Sequence, residues 1–354
     1  MTTYATHLEL EFATPIAHRH FAVIDSTNTQ LIADIERNIL ECDRHHLYTA
    51  DTQNKGRGQH GRVWVSGAGN VFLSLYVPIG SHVDGSHVSG SHANHHLHAK
   101  QSNLPVLAKL SGLLSLVVGL SLYRMPIMTR LNEYRSQLNL PKVGVKWAND
   151  LGYYDEQLGK FQKLIGILIE PVFKRVNGKS AMVGVVIGVG LNVMSSPVIT
   201  DGLYHAVSVQ DLLSCTKMHG ATDWADNPTS SPQIKTTSNT HANSISATTS
   251  GLDDGSFLKK VLLPQQWYAP ISTAILHAIH QHNLLTDTER LQAFVSEFHQ
   301  AHVLSDRWVK IFLQDDRQSV HAQGICTGIS TDGALLLMND GVERAIFAGL
   351  AQMG

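Results

Sequence analysis

Two apolar runs, Leu164 to Val172 and Ala181 to Val189, stand on either side of a short polar segment, Lys174 to Ser180. Within that segment lies Asn177-Gly178, a pair suited to a tight hairpin turn because both central residues take positive φ there. The arrangement predicts two antiparallel strands and makes a sheet the core of the larger part of the chain. Further strands are expected at Phe21–Ile24, Leu47–Ala50, Val71–Val77 and Val143–Trp147, with another starting over Leu151–Tyr154. Helices are expected from Asp25 to about Leu40, with Leu31, Ile32, Ile35 and Ile39 on one face, and over Leu104–Tyr123, apolar nearly all round and so buried. More helix is expected from Pro126 to about Leu140, over Val207–Leu213, and over Phe257–Leu285 and Asp287–Phe298. From about Val303 the pattern switches to period two, with turn signals at Asp332-Gly333 and Asp340-Gly341. Four or five short strands there predict a small barrel of SH3-like size.

At 354 residues the chain exceeds one typical domain without needing three. The expected division is a large domain over residues 1–302 and the small barrel over 303–354. Two stretches interrupt the large one. Residues 81–103 hold His82, His87, His92, His95, His96 and His98 among Ser, Gly and Asn, and read as a surface loop with at most weak, adventitious metal affinity. Residues 216–256 are rich in Ser, Thr and Asn and poor in apolar residues, a composition that cannot build a core.

The formal net charge of −2 exerts no global pull on nucleic acid or an anionic membrane, so any anion site must be local. The three cysteines lie far apart without metal-ligand spacing and read as free thiols of a reducing compartment. The most apolar stretch is short for a membrane span and contains Lys109. The start of the chain has no apolar run of signal-peptide length. A cytoplasmic protein is expected. The twenty residues before Phe21 leave no room for a helix-turn-helix, so DNA binding is not expected.

Two stretches carry chemistry. Gln53 to Trp64 packs Gly56, Arg57, Gly58, Gly61 and Arg62 into a short run closed by a tryptophan. Its glycines let backbone approach a ligand, its free N–H groups can nest an anion, arginine offers a bidentate fork, and Trp64 offers a flat face. Gly144 to Leu151 places Lys146 inside a short apolar strand, where an ammonium needs a counter-charge that an anionic ligand would supply. Taken singly, the loop is equally a flexible basic turn or an RNA-binding segment, and the lysine one that snorkels to solvent.

In order along the chain stand Asp25-Ser26-Thr27-Asn28, the loop to Trp64, Lys146-Trp147-Ala148-Asn149-Asp150, Lys163 to Glu170 and Gly188 to Val193, with Gly324–Ile329 and Asp332–Leu337 in the tail. This order resembles the biotin–protein ligases, of the type without an N-terminal DNA-binding domain. The resemblance implies an α+β fold: a mixed sheet like that of class II aminoacyl-tRNA synthetases with flanking helices, closed by a small SH3-like β-barrel. It implies that biotin and ATP form biotinyl-5′-AMP, and that biotin then passes to a lysine of the biotin carboxyl carrier protein of acetyl-CoA carboxylase. It also implies magnesium brought by the triphosphate rather than held in a protein cage, and a possible homodimer through the central sheet.

The residues carried over are Lys146 and Arg57 for catalysis. Ser26, Thr27, Asn28, Gln53, Arg57, Gly58, Gln59 and Lys146 go to biotin, and Arg62, Trp64, Asn149, Lys163 and Asn192 to the nucleotide. The loop is expected to order over its ligand. Two departures stand out. Gln59-His60 replaces the central arginine pair of the family's Gly-Arg-Gly-Arg-Arg-Gly-Arg loop, removing a charge that helps hold the adenylate, and Ala148 replaces a proline. A lipoate ligase of the same fold and a non-catalytic binder of biotin or biotinyl-AMP are the competing readings.

Overall fold

The computed structural model describes residues 5–8, 16–65, 67–80, 103–176, 178–199, 204–214, 254–313 and 318–354. Nearly all of the His-rich and Ser/Thr-rich stretches, and Asn177 of the expected hairpin turn, lie outside these residues.

In chain order the strands are β1 (Ala5–Leu8), β2 (Ile16–Ile24), β3 (His46–Gln53), β4 (Val71–Pro78), β5 (Gly144–Lys146), β6 (Asp150–Asp155), β7 (Lys160–Val176), β8 (Lys179–Leu191) and β9 (His205–Ala206). They form one sheet in the order β1-β2-β3-β4-β8-β7-β6-β5, with β9 on β7. The sheet is mixed: β2 runs parallel to β3 and β9 parallel to β7, and the other pairs are antiparallel. The long hairpin of β7 and β8 lies at its centre, in register Ile167↔Val189 and Leu168↔Gly188.

Because side chains alternate across a strand, each central strand serves two faces. Val71, Leu73, Leu75 and Val77 of β4, with Val185, Ile187, Val189 and Leu191 of β8, join Ile165 and Ile167 in the main core. Helices α2 (Leu113–Tyr123), α3 (Pro126–Gln137), α6 (Tyr268–Leu284) and α7 (Thr288–Ala301) cover that face, after α1 (Thr27–Glu36), with α4 (Val209–Leu213) and α5 (Asp254–Val261) beside them. On the opposite face Leu31 and Ile35 of α1 pack on Tyr48, Tyr76, Val172 and Val186. Beyond that small cluster this face carries Gly166, Gly188 and Gly190, and the sheet surface lies low.

The buried helix expected over Leu104–Tyr123 is shorter, beginning at Leu113. Residues before it follow the sheet instead: the Leu107 N–H donates to the Pro78 carbonyl, and the Gly80 N–H to the Leu107 carbonyl. Asn283 of α6 holds this segment by accepting from the Ala108 N–H and donating to the Val106 carbonyl. The helical stretch expected over 257–285 is broken at Pro264, which cannot donate into a helix interior. Helix α5 begins at Asp254, inside the stretch expected to be unstructured.

The tail forms a second, five-stranded antiparallel sheet: β10 (Trp308–Phe312), β11 (Val320–Ile329), β12 (Leu335–Asn339), β13 (Val342–Ile346) and β14 (Leu350–Met353). Its order is β13-β12-β11-β10-β14, so the last strand returns to the first. The turns at Asp332-Gly333 and Asp340-Gly341 fall between strands, with Gly333, Asp340 and Gly341 at positive φ. No helix among the described residues is long and apolar enough to cross a membrane.

Candidate active site

A cleft of about 500 Å³ opens over the glycine-bearing face of the sheet. One wall is the N-terminus of α1. Ser26 caps the helix, its Oγ accepting from the Thr29 N–H at 3.4 Å. Gln53, at the end of β3, accepts the Thr27 N–H through Oε1 at 2.8 Å. That bond fixes the amide, so its NH₂ group is left to donate elsewhere. The hydroxyl of Ser74 from β4 lies 2.7 Å from Thr27 Oγ1 and also donates to Asn28 Oδ1. Asn28 Nδ2 in turn donates to Glu170 Oε2 at 3.0 Å. The wall is therefore a connected set of buried polar groups, with donors and acceptors placed to meet a neutral polar ligand.

The glycine–arginine loop forms the lid. Its base is tied to the turn between β2 and α1: the Lys55 N–H donates to the Asp25 carbonyl at 2.8 Å, and Lys55 Nζ pairs with the Asp25 carboxylate. Across the loop, Gly58 N–H donates to the Arg62 carbonyl and Trp64 N–H to the Gly56 carbonyl. Arg57 forms an ion pair with Glu170 and donates to Thr29 Oγ1 at 3.0 Å. The Trp64 indole lies on the glycine floor. A Cβ built at Gly166 would fall 2.5 Å from its ring, and one at Gly190 2.6 Å. Two lid groups are buried without a hydrogen-bond partner among the described residues, the Arg62 Nε and the Trp64 Nε1.

The third wall comes from β5, β6 and β7. Lys146 ends β5 and sits directly opposite Asp150 on β6. Asp150 pairs at 2.8 Å with Lys163 of β7, whose ammonium also lies 5.3 Å from the Trp64 ring and 5.2 Å from the Tyr204 ring. The Lys146 ammonium has no ion pair among the described residues; it rests 4.8 Å over the Phe161 ring. Burial lowers its pKa to about 8, with Asp150 opposing and Lys163 and Arg62 adding to the shift. Asn149 Nδ2 donates to the Ile167 carbonyl at 2.9 Å, locking the turn after Lys146 onto β7. The Trp147–Ala148 peptide bond is cis.

Ser26, Thr27, Asn28, Gln53, Arg57, Gly58, Gln59, Arg62, Trp64, Lys146, Asn149 and Lys163 all line this one cleft. Asn192 does not. It is buried behind β8, where Nδ2 donates to the Val207 carbonyl and its own carbonyl accepts from Val209, so it braces a connection. Several residues join the site without having been singled out in the sequence. Glu170 and Ser74 organise the wall from behind, Asp150 separates two lysines, Tyr204 faces Trp64 across Lys163, and Phe347 to Gln352 of the second sheet close one side. Strand parity was the available signal for Ser74 and Glu170, since both fall on the glycine-bearing face. Tyr204 and the tail segment are brought in only by tertiary contact. Among the described residues Asp150 is the one carboxylate in the cleft lining, and it is engaged by Lys163; no group of His, Cys, Asp or Glu among them is arranged to hold a metal ion.

Comparison with known proteins bears directly on this cleft. Residues 20–192 match the family model of the Biotin/lipoate A/B protein ligase family. The chain is similar to the Bifunctional ligase/repressor BirA of Salmonella typhimurium, 25% identical over 328 residues, which cover 92% of this chain and 71% of that protein. Its fold is similar to the structure of biotin protein ligase from Aquifex aeolicus in complex with biotin and ATP, with a TM-score of 0.51 and 17% identity over 95% of this chain and 98% of that one. The matched segment carries the α1 cap, the glycine–arginine lid, Lys146 and Lys163, and residues 20–192 are thereby similar to a biotin/lipoate A/B protein ligase family domain.

Proposed function

We propose that this chain is an ATP-dependent biotin–protein ligase. In the first step a carboxylate oxygen of biotin attacks the α-phosphorus of ATP, the bond to the β-phosphate oxygen breaks, and pyrophosphate leaves. In the second, the neutral amine of an acceptor lysine attacks the acyl carbon of biotinyl-5′-AMP, AMP leaves, and the amine gives up a proton. The observation that carries this reading is Lys146, a desolvated ammonium with no ion-pair partner among the described residues, facing the cleft that the polar α1 wall and the Trp64 lid enclose. Bringing two anions together is the cost of the first step. A fixed cation in a dry cleft offsets that repulsion and stabilises the charge of the pentavalent transition state.

Roles follow from placement. Ser26, Thr27, Asn28, Gln53 and the lid backbone at Gly58 and Gln59 hold the neutral ring system of biotin. Arg57, fixed by Glu170, closes over it. Arg62, Trp64, Asn149 and Lys163 surround the nucleotide. Asn192 supports that side from behind β8, without touching ligand. Magnesium would enter with the triphosphate, held by its phosphate oxygens and water rather than by a protein cage, and would offset the phosphate charge. The acceptor we assign is the biotin carboxyl carrier protein of acetyl-CoA carboxylase, met in the cytoplasm. Gln59 donates a hydrogen bond but brings no charge, so the lid grips the adenylate through Arg57 and Arg62. The lid orders on ligand binding, and hydrogen exchange of residues 54–64 should slow when biotin and ATP are added together.

The test is pyrophosphate–ATP exchange. Labelled pyrophosphate should enter ATP only when biotin is present, and lipoate should not replace it. Exchange with lipoate alone moves the chain to lipoate ligation, and biotin binding without exchange makes it a binder that does not turn over.

A further inference from the structure

His302 lies outside the cleft lining, and no step above uses it. It is 5% exposed, at the point where α7 ends and the chain enters the second sheet. Strand β5, which carries Lys146, is the last strand of the large sheet. One edge of it pairs with β6, and the other faces this junction. There the Val303 N–H donates to the Val145 carbonyl at 2.9 Å, an isolated parallel bridge. The next amide on that edge is Trp147's. In a continuing sheet a neighbouring strand would meet it with a carbonyl. Here the imidazole does so, and the Trp147 N–H donates to His302 Nε2 at 3.0 Å.

An Nε2 that accepts carries no proton, so the ring is the neutral tautomer with its proton on Nδ1. Nδ1 lies 3.8 Å from Cys326 Sγ of β11, and that sulfur lies 4.0 Å from the Gly328 carbonyl. The proton order then runs one way: thiol to Gly328 carbonyl, imidazole Nδ1–H to sulfur, Trp147 N–H to Nε2. Phe298 packs against the ring with centroids 5.1 Å apart and holds its plane. Burial first, then the charge of Lys146 and the neighbouring His299, lower the imidazole's pKa to about 3. Burial likewise raises the Cys326 thiol to about 11.

The Trp147 N–H and the Lys146 carbonyl belong to one planar peptide unit. Whatever fixes that N–H fixes the ψ of Lys146, and with it the direction in which the side chain leaves the strand. We infer that His302 is a positioning residue for the adenylation step, holding the Lys146–Trp147 peptide so that the ammonium enters the cleft, and that Cys326 of the second sheet sets the tautomer that lets it do so. The inference rests on the role given to Lys146 above.

The experiment separates the half-reactions. Adenylation is read by biotin-dependent pyrophosphate exchange, and transfer by supplying preformed biotinyl-5′-AMP and an acceptor domain. His302→Leu removes the acceptor and leaves Trp147 N–H unpaired; His302→Gln returns an oxygen near the place of Nε2. His302→Leu should lower the kcat of adenylation by about tenfold to a hundredfold, the range expected for a misplaced catalytic group. KM for biotin and ATP and the transfer rate should stay near wild type, and His302→Gln should recover most of the loss. Full adenylation by His302→Leu beside a dead Lys146→Gln overturns this inference alone. Full adenylation by Lys146→Gln overturns the role of Lys146 and this inference with it. Should His302→Leu not fold, ¹⁵N imidazole shifts of the wild-type protein decide: an Nδ1-protonated, non-titrating His302 from pH 5 to 8 supports the inference, and an Nε2-protonated or titrating ring removes it.

Discussion

At Lys146 burial and the facing carboxylate of Asp150 pull in opposite directions. Desolvation lowers its pKa to about 8, while Asp150 on the facing strand holds it up. A lysine with a lowered pKa is cationic below that value and neutral above it. If adenylation needs the ammonium, kcat/KM, which reports the free enzyme, should fall as pH rises through about 8. Bound biotin and ATP are anions and favour the charged form, so the corresponding fall in kcat should lie at higher pH. A kcat/KM flat between pH 7 and 10 would remove the ammonium from the step. Lys146→Ala should lower adenylation about a hundredfold or more, the usual cost of deleting a transition-state charge contact. Lys146 was legible as a cleft residue only together with the ordered motifs around it, since a strand lysine taken singly also reads as one that snorkels to solvent. Asn192 was expected at the nucleotide from the resemblance and lies outside the cleft lining, because a buried asparagine at a strand end serves backbone carbonyls as readily as ligands. Glu170 was passed over because its partners, Arg57 and Asn28, lie more than a hundred residues away.

The central hairpin decides where a ligand can lie. Parity along β7 and β8 puts Gly166, Gly188 and Gly190 on one face, and the space their missing side chains leave is taken by Trp64 and Asn28. Gly190→Ala would place a methyl 2.6 Å from the Trp64 ring, which must move because it rides on a loop while the strand is fixed on both edges. The expected result is a red-shifted tryptophan emission, absent when the same change is made in Trp64→Phe, and about tenfold weaker ATP binding, near the upper end of what one lost aromatic stack contributes. Unchanged emission and affinity would mean the lid does not rest on this floor. The two strands were readable as apolar runs on either side of a short polar segment. The start of α2 was not, since residues 104–112 have a helix-like apolar content yet are drawn onto β4 and held by Asn283, a contact between distant parts of the chain.

The two sheets meet around the lysine strand. The Trp147 Nε1–H donates to the Gly333 carbonyl at 2.9 Å, Arg307 pairs with Glu156 in the turn between β6 and β7, and Phe347 to Gln352 line the cleft. The buried apolar residues of β10, β11 and β12 run continuously into the main core through Phe298 and Leu304. With one shared core, chemical denaturation should follow a single transition by both circular dichroism and tryptophan fluorescence. Trp147→Phe, which loses one hydrogen bond between the two sheets, should lower stability by about 1 kcal/mol without splitting the curve. Two separated transitions would mean the tail folds on its own and only leans on the rest. The barrel pattern of the tail was visible from its period-two runs and Asp-Gly turns. Its place against the cleft was not, because docking of one sheet on another leaves no periodic trace in either.

Biotin ligation is read most simply from the intact mass of a biotin carboxyl carrier domain after incubation with this protein, ATP, magnesium and biotin. The expected result is a gain of one biotin on a single lysine, abolished by Lys146→Ala. An unchanged carrier mass, with or without biotinyl-5′-AMP accumulating in solution, would contradict it.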